Sequence, residues 1–180
     1  MSHARALGIA ERLVLTGAGN DHPNLPTSKL NLIYNACDVG VNTSTGEGWG
    51  LISFEHAATG APQIVPRHSA CAEIWDGAAE FLSPVRTVSN GIIEGGEIAV
   101  EDLAESLEKL YTDSKHYDHL AQTAYRRATD EDYRWDQVAI RWRDLFDELL
   151  VKHRYQNQAP PANVINLKGE TDGKVFHTER

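Results

Sequence analysis

The sequence predicts an α/β fold, a Rossmann-like doubly wound parallel sheet closed by C-terminal helices, on three observations. Apolar runs of strand length recur at 12–16, 38–42, 63–66 and 79–82. Helical patterns fill the intervals at spacings of about 20–25 residues, as parallel strands joined by right-handed crossovers require. From Glu101 to Lys152 the periodicity is helical alone.

Each element has its own signal. Residues 2–7 read as a short helix closing at Gly8, and Arg12-Leu13-Val14-Leu15-Thr16 as a strand ended by Gly17-Ala18-Gly19-Asn20. The connection 21–26 carries Pro23 and Pro26; Thr27 or Ser28 then caps a helix with Leu30, Ile33, Tyr34 and Cys37 on one face. Asp38–Asn42 is the next strand. A helix over 51–59 is stopped by Gly60 and Pro62, Gln63–Pro66 is a strand, and Ser69 caps a helix over 70–75. Ala79–Leu82 is the fourth strand. The stretch 83–99 has no assigned role and suits an inserted hairpin. Three helices follow, over about 101–111, 115–129 and 135–152. The last carries Val138, Trp142, Leu145, Phe146, Leu149 and Leu150 as one wide stripe.

The chain has 180 residues, enough for one core, expected over 1–153. Residues 154–180, with two adjacent prolines and little periodicity, read as a disordered tail. No run reaches the roughly 18 apolar residues of a membrane span, and the first residues lack a secretion signal, so the expected compartment is the cytoplasm. The net charge of −9 argues against a nucleic-acid surface, which needs clustered Lys and Arg. Cys37 and Cys71 have no metal-ligand spacing and are expected to pack as small buried or half-buried apolar groups. His116 and His119 share a helix face without a third ligand, so no metal is expected. Gly17-Ala18-Gly19 lacks the third glycine of the dinucleotide fingerprint, which argues against NAD.

Ligands of doubly wound sheets bind beyond the carboxyl ends of the strands. The segment there with most chemistry runs from Asn42 to Glu55, leaving a strand and entering a helix within about eight residues. Gly46, Gly48 and Gly50 remove side chains where phosphates approach the main chain, and the amides at the helix start face them. Glu55, about 6 Å along the helix, is placed to accept two hydroxyls of a ribose, and Glu47 faces the opposite end of a diphosphate. A bland reading fits the same residues: the glycines turn the chain, Glu55 caps local amides or pairs with Arg67 or Lys29, and Asn42 and Ser44 only shape the turn. Arg67 and His68 either border the cleft or belong to a surface loop.

Glu47-Gly48-Trp49-Gly50-Leu51, a second glutamate at Glu55, and then Ala57-Ala58-Thr59-Gly60-Ala61-Pro62 resemble the Glu-x7-Glu signature of the retaining GT-B glycosyltransferases of group 1. Residues 32–39 and the Trp135-Asp136-Gln137-Val138-Ala139 segment extend the resemblance over about 4–153. It implies the C-terminal, donor-binding half of a GT-B fold, missing its first strands. It implies that Glu55 binds ribose, that the amides of Gly48, Trp49, Gly50 and Leu51 contact the diphosphate and sugar, and that Glu47 is the catalytic residue holding the transferred sugar. Trp49 either touches the donor or packs its loop. The implied donor is a UDP- or GDP-hexose, with no metal or other cofactor, and the acceptor is a glycan or lipid-linked group held by an N-terminal domain. The family's donor domain opens with two strands, a glycine-rich turn and a basic pair that these residues do not contain, and no Lys or Arg lies between Asn42 and Arg67. A non-catalytic module that binds a sugar nucleotide or a partner therefore stands as the alternative.

Overall fold

The computed structural model describes residues 2–16, 25–89 and 94–157. The chain divides into two compact units, the first ending at Asp130 and the second beginning at Glu131.

The first unit opens with α1 (Ser2–Ala6), ended by Gly8 at φ 69°. The expected strand at 12–16 is not formed. A single 3-10 turn occupies Ala10–Arg12, and Leu13, Val14 and Leu15 are exposed, Val14 to 90%. The reason is a missing neighbour. In the sheet order 3-2-1-4-5-6 a strand here is third and pairs with the second, and the described residues hold no such partner. The loop expected at 17–20 lies outside the described residues.

Next come α2 (Thr27–Asn35), β1 (Gly40–Val41), α3 (Leu51–Ala57), β2 (Gln63–Pro66), α4 (Ser69–Ile74) and β3 (Glu80–Leu82). Two helix starts differ from expectation by one or two residues. Pro26 precedes α2 and its carbonyl accepts from Lys29 and Leu30, so neither Thr27 nor Ser28 is the cap; His68 precedes α4, and Ser69 is its first residue. Gly60, at φ 94°, ends the α3 region as expected.

The three strands form a parallel sheet in the order β1-β2-β3, with Gly40 opposite Gln63 and Ile64 opposite Glu80. All four residues of β2 are buried, as a central parallel strand covered on both faces requires. Successive side chains alternate faces. Val65 joins Ala57, Cys71, Ile74, Trp75, Ala78 and Ala124 in one cluster, and Ile64 joins Leu82, Leu110 and Leu120 in another. Burial of each large aliphatic side chain contributes about 1.5–3 kcal/mol. Cys71 is buried as expected. Cys37 is exposed, because α2 stops at Asn35 and leaves it outside the helical face; its amide donates to the Tyr34 carbonyl at 3.3 Å and its carbonyl accepts from His56 Nε2 at 3.0 Å.

The stretch 83–99 is a hairpin of β4 (Pro84–Ser89) and β5 (Glu94–Ile98), antiparallel, with a bulge between Pro84 and Arg86. Two helices, α5 (Val100–Thr112) and α6 (Ser114–Ala128), complete the unit; Asp113 caps α6 by accepting from the His116 amide.

The second unit carries a 3-10 turn at Glu131–Tyr133 and α7 (Trp135–Asn157). Its stripe is amphipathic as read, with Trp142 and Phe146 rings 5.5 Å apart. The helix runs through Asn157; residues 158–180, most of the expected tail, lie outside the described residues. Among the described residues no helix is long and apolar enough to cross a membrane.

Candidate functional site

Parallel strands bring the segments that follow them to one end of the sheet. Those segments are 42–50 after β1, 67–68 after β2 and the hairpin after β3, and they make the mouth to which the sequence pointed.

Asn42 starts the mouth. Its amide donates to Ile64 O at 2.9 Å, continuing the ladder one residue past β1. Its side chain then folds the loop back: Oδ1 accepts from the Ser44 amide at 2.8 Å, and Nδ2 donates to Glu47 Oε1 at 3.2 Å. Asn42 thus shapes the turn and also holds an acidic side chain, which the sequence alone did not reveal.

Glu47 is half-buried and fixed from three sides. Besides the Asn42 contact, its amide donates to Ser69 Oγ at 3.1 Å and its carbonyl accepts from the Ala70 amide at 3.3 Å. His68 Nδ1 lies 3.0 Å from the same Ser69 oxygen, which puts His68 beside the Glu47 loop. Arg67 is turned elsewhere, its guanidinium 4.1 Å from the centre of the Phe81 ring. The Cys71 thiol, 3.9 Å from Asn42 Nδ2, is pushed up to about 11 by burial and secondly by the charge of Glu47. It is a packed, protonated group.

Gly50 precedes α3 at φ 84°, buried. A Cβ there would make only ordinary contacts at 3.7 Å, so the left-handed backbone, not crowding, requires glycine. Gly48 faces open space. The first helical bond runs from Phe54 N to Gly50 O, and the amides of Leu51, Ile52 and Ser53 precede it without an intrahelical acceptor. Trp49 meets Phe54 edge to face at 5.5 Å, and Phe54 in turn meets Trp75, so the indole packs the loop onto α3.

Glu55 is exposed on α3. Its Oε2 accepts from Tyr34 Oη at 3.1 Å. Among the described residues it joins no ion pair with Arg67 or Lys29. Tyr34 is stacked on His56, ring centres 5.5 Å apart, and its hydroxyl is pushed up to about 12 by burial, then by the Glu55 hydrogen bond and charge. The sequence placed Tyr34 on an apolar helix face; its hydroxyl is a second functional group there. His56 supports this side, donating from Nε2 to the Cys37 carbonyl while Nδ1 lies 3.4 Å from the Gln63 amide nitrogen.

The other candidates fall elsewhere. His116 Nε2 bonds Glu80 Oε2 at 2.7 Å, and Lys109 Nζ reaches the same carboxylate at 3.0 Å. Burial raises the Glu80 carboxyl, but those two partners outweigh it and hold it below its ordinary value. This cluster sits at the amino end of β3, away from the mouth. Among the described residues no group of three or more His, Cys, Asp or Glu is placed to hold a metal. A cavity of about 830 Å³ near Asp38, Leu107, Leu110 and Tyr117 lies beyond the amino end of β1, also away from the mouth.

Known proteins resemble this chain in sequence and in fold. The chain is 28% identical over 153 residues to a D-inositol 3-phosphate glycosyltransferase of Salinispora tropica, covering 84% of this chain and 27% of that one. Its fold superposes on sucrose-phosphate synthase of Thermosynechococcus elongatus with a TM-score of 0.64 at 17% identity, over 84% of this chain and 33% of that one. HepE of Anabaena, solved in complex with UDP and glucose, gives 0.57 at 19% identity, over 84% and 35%. The chain therefore spans about a quarter to a third of the length of these relatives. The α/β architecture is that of the C-terminal domain of GT-B glycosyltransferases. The sequence profile of the glycosyl transferase-like family matches residues 2–144, and the chain belongs to that family.

Proposed function

We propose that this chain binds a nucleoside-diphosphate sugar at the mouth of the sheet, as the donor half of a retaining hexosyltransferase. One observation carries the proposal. Glu47 and Glu55, spaced as Glu-x7-Glu, stand before and after the Gly48–Leu51 turn, and each is held by a neutral donor, Asn42 or Tyr34. A carboxylate has about four acceptor positions, so one such bond leaves room for ligand hydroxyls. Glu55 takes the ribose diol; the turn's amides take the diphosphate; Glu47 takes the hydroxyls of the sugar and the charge that develops on it. The UDP and glucose of the HepE complex are in keeping with this ligand class. Donor binding needs no metal or other cofactor. The acceptor, a glycan or lipid-linked group, is held by a domain outside these residues.

Titration calorimetry with UDP, GDP and their hexose conjugates tests the assignment. Glu55→Ala should weaken both the free diphosphate and the sugar donor by about 1 kcal/mol or more, roughly fivefold. Unchanged titrations would count against it.

A second reading, a binding module without transfer activity, is favoured by a specific feature. A departing diphosphate needs positive charge, yet 42–66 contain no Lys or Arg and Arg67 lies over Phe81. Sugar transfer by this chain alone would defeat the module reading. Transfer that appears only on adding the upstream part of a relative would identify a split enzyme.

A further inference from the structure

The β4–β5 hairpin adds little to the core: β4 is exposed throughout, and of β5 only Ile98 packs against a buried cluster. Its closest approach is to the mouth. Gly96 N donates to Thr45 O at 2.9 Å. A Cβ on Gly95 would stand 1.9 Å from that oxygen, and one on Gly96 would stand 2.7 Å from the Pro84 ring and 2.8 Å from His68 Cδ2. Neither glycine has a left-handed φ. Space, not backbone conformation, is therefore what glycine supplies at both positions: the hairpin is pressed against the loop at Thr45.

The same loop is also gripped by a strained residue. Ser69 has φ 48°, a conformation that side-chain-bearing residues rarely adopt. Its hydroxyl accepts from the Glu47 amide and meets His68 Nδ1. Contacts thus run from Gly96 through His68 and Ser69 to Glu47, and from Gly95 and Gly96 directly to Thr45, two residues before Glu47.

We propose that the hairpin is a clamp that positions Glu47, with Gly95 and Gly96 pressing on Thr45 and, through His68, bracing the Ser69 hydroxyl that holds the Glu47 backbone. Gly95, Gly96, His68 and Ser69 are positioning residues; none need touch the ligand. The consequence for the ligand rests on the proposed role of Glu47 at the sugar end.

Two variants of the full chain test the clamp. Gly95→Ala must displace the Thr45 carbonyl; Ser69→Gly removes the hydroxyl and relieves the left-handed strain without adding bulk. Amide hydrogen exchange read by NMR is the ligand-free measurement. In both variants the Glu47 amide should exchange faster than in the wild type, although Gly95 does not touch it. Calorimetry with UDP and UDP-glucose is the second measurement. The preference for UDP-glucose over UDP should fall by about fivefold, the loss of one good hydrogen bond, with UDP affinity unchanged. An unaltered Glu47 amide in Gly95→Ala would overturn the clamp. So would an unaltered preference in both variants of a chain that binds donor. A wild-type chain that binds neither ligand would instead refute the donor reading, and the clamp would then be decided by the Glu47 amide alone.

Discussion

The two carboxylates at the mouth are held in contrasting ways. Glu47 sits in a loop, half-buried, with its side chain on Asn42 and both its backbone groups tied to the start of α4. Glu55 sits on a helix, exposed, with one side-chain bond to Tyr34. A loop has no internal ladder to hold it, so the position of Glu47 depends on contacts from elsewhere in the sequence. A helix supplies its own frame, so Glu55 needs only its side chain aimed. The Glu47 end of the mouth, proposed for the sugar, is consequently preset by tertiary structure, and the Glu55 end, proposed for the ribose, by one phenol.

The largest effect should come from breaking the loop end. Glu47→Ala removes the proposed ligand contact and takes from Asn42 Nδ2 its carboxylate acceptor, leaving it the Cys71 thiol. Sugar-dependent affinity should drop by about 1.5–3 kcal/mol, roughly 10- to 150-fold, the range for a charged hydrogen-bond partner. Free UDP should bind as before. Calorimetry on both ligands reads the contrast directly, and equal losses for the two would mean that the ends do not divide the work.

The same contrast explains what could be read from the sequence. Gln63–Pro66 was legible to the residue because the short apolar run Ile64-Val65 follows directly on the helix stop at Gly60 and Pro62, and Gly60 marked the end of the α3 region because a left-handed turn there suits glycine. Glu47 and Glu55 were legible as a spaced pair beside a glycine turn. Their partners were not. Tyr34 lies 21 residues from Glu55 and was read only by its apolar ring. Ser69 had the composition of a cap, but the chain approaching from His68 puts it at φ 48°, with its hydroxyl on Glu47 rather than on its own helix. Gly95 and Gly96 fell in the stretch 83–99 that had no assigned role, because nothing local says what presses on them. The apolar run at 12–16 misled for the opposite reason: its strand character is local, but strand formation requires a neighbour.

A smaller effect is expected at the ribose end. Tyr34→Phe keeps the ring stacked on His56 and removes only the hydroxyl that aims Glu55. Affinity for UDP should fall by about 0.5–1.5 kcal/mol, and the preference for UDP over its 2′,3′-dideoxy analogue should shrink with it. A matching change for the dideoxy analogue would make the effect one of general packing. The variant also has a pH signature. Because folding raises the Tyr34 hydroxyl from 10.0 to about 12, its contribution to stability is complete below pH 10 and is lost as pH rises through 12. Burial also raises the Tyr117 hydroxyl, so tyrosinate absorbance should show more than one late-titrating group among the six tyrosines, with one fewer in Tyr34→Phe.

The smallest effect on ligands belongs to Glu80, which supplies the baseline for the comparison. Its carboxyl is bonded by His116 and Lys109 at the amino end of β3, and neither Glu47 nor Glu55 touches that cluster. Glu80→Gln should leave UDP and UDP-glucose titrations unchanged. Stability should respond instead: a carboxyl held below its ordinary value by folding contributes above the ordinary carboxylate range, and the contribution disappears as pH falls through its lowered value. Denaturant melts at successive acidic pH values should therefore be flatter for Glu80→Gln than for the wild type. If this distant variant altered donor affinity as much as Tyr34→Phe does, losses at the mouth would report on general stability, and the division between a preset sugar end and an aimed ribose end would have no support.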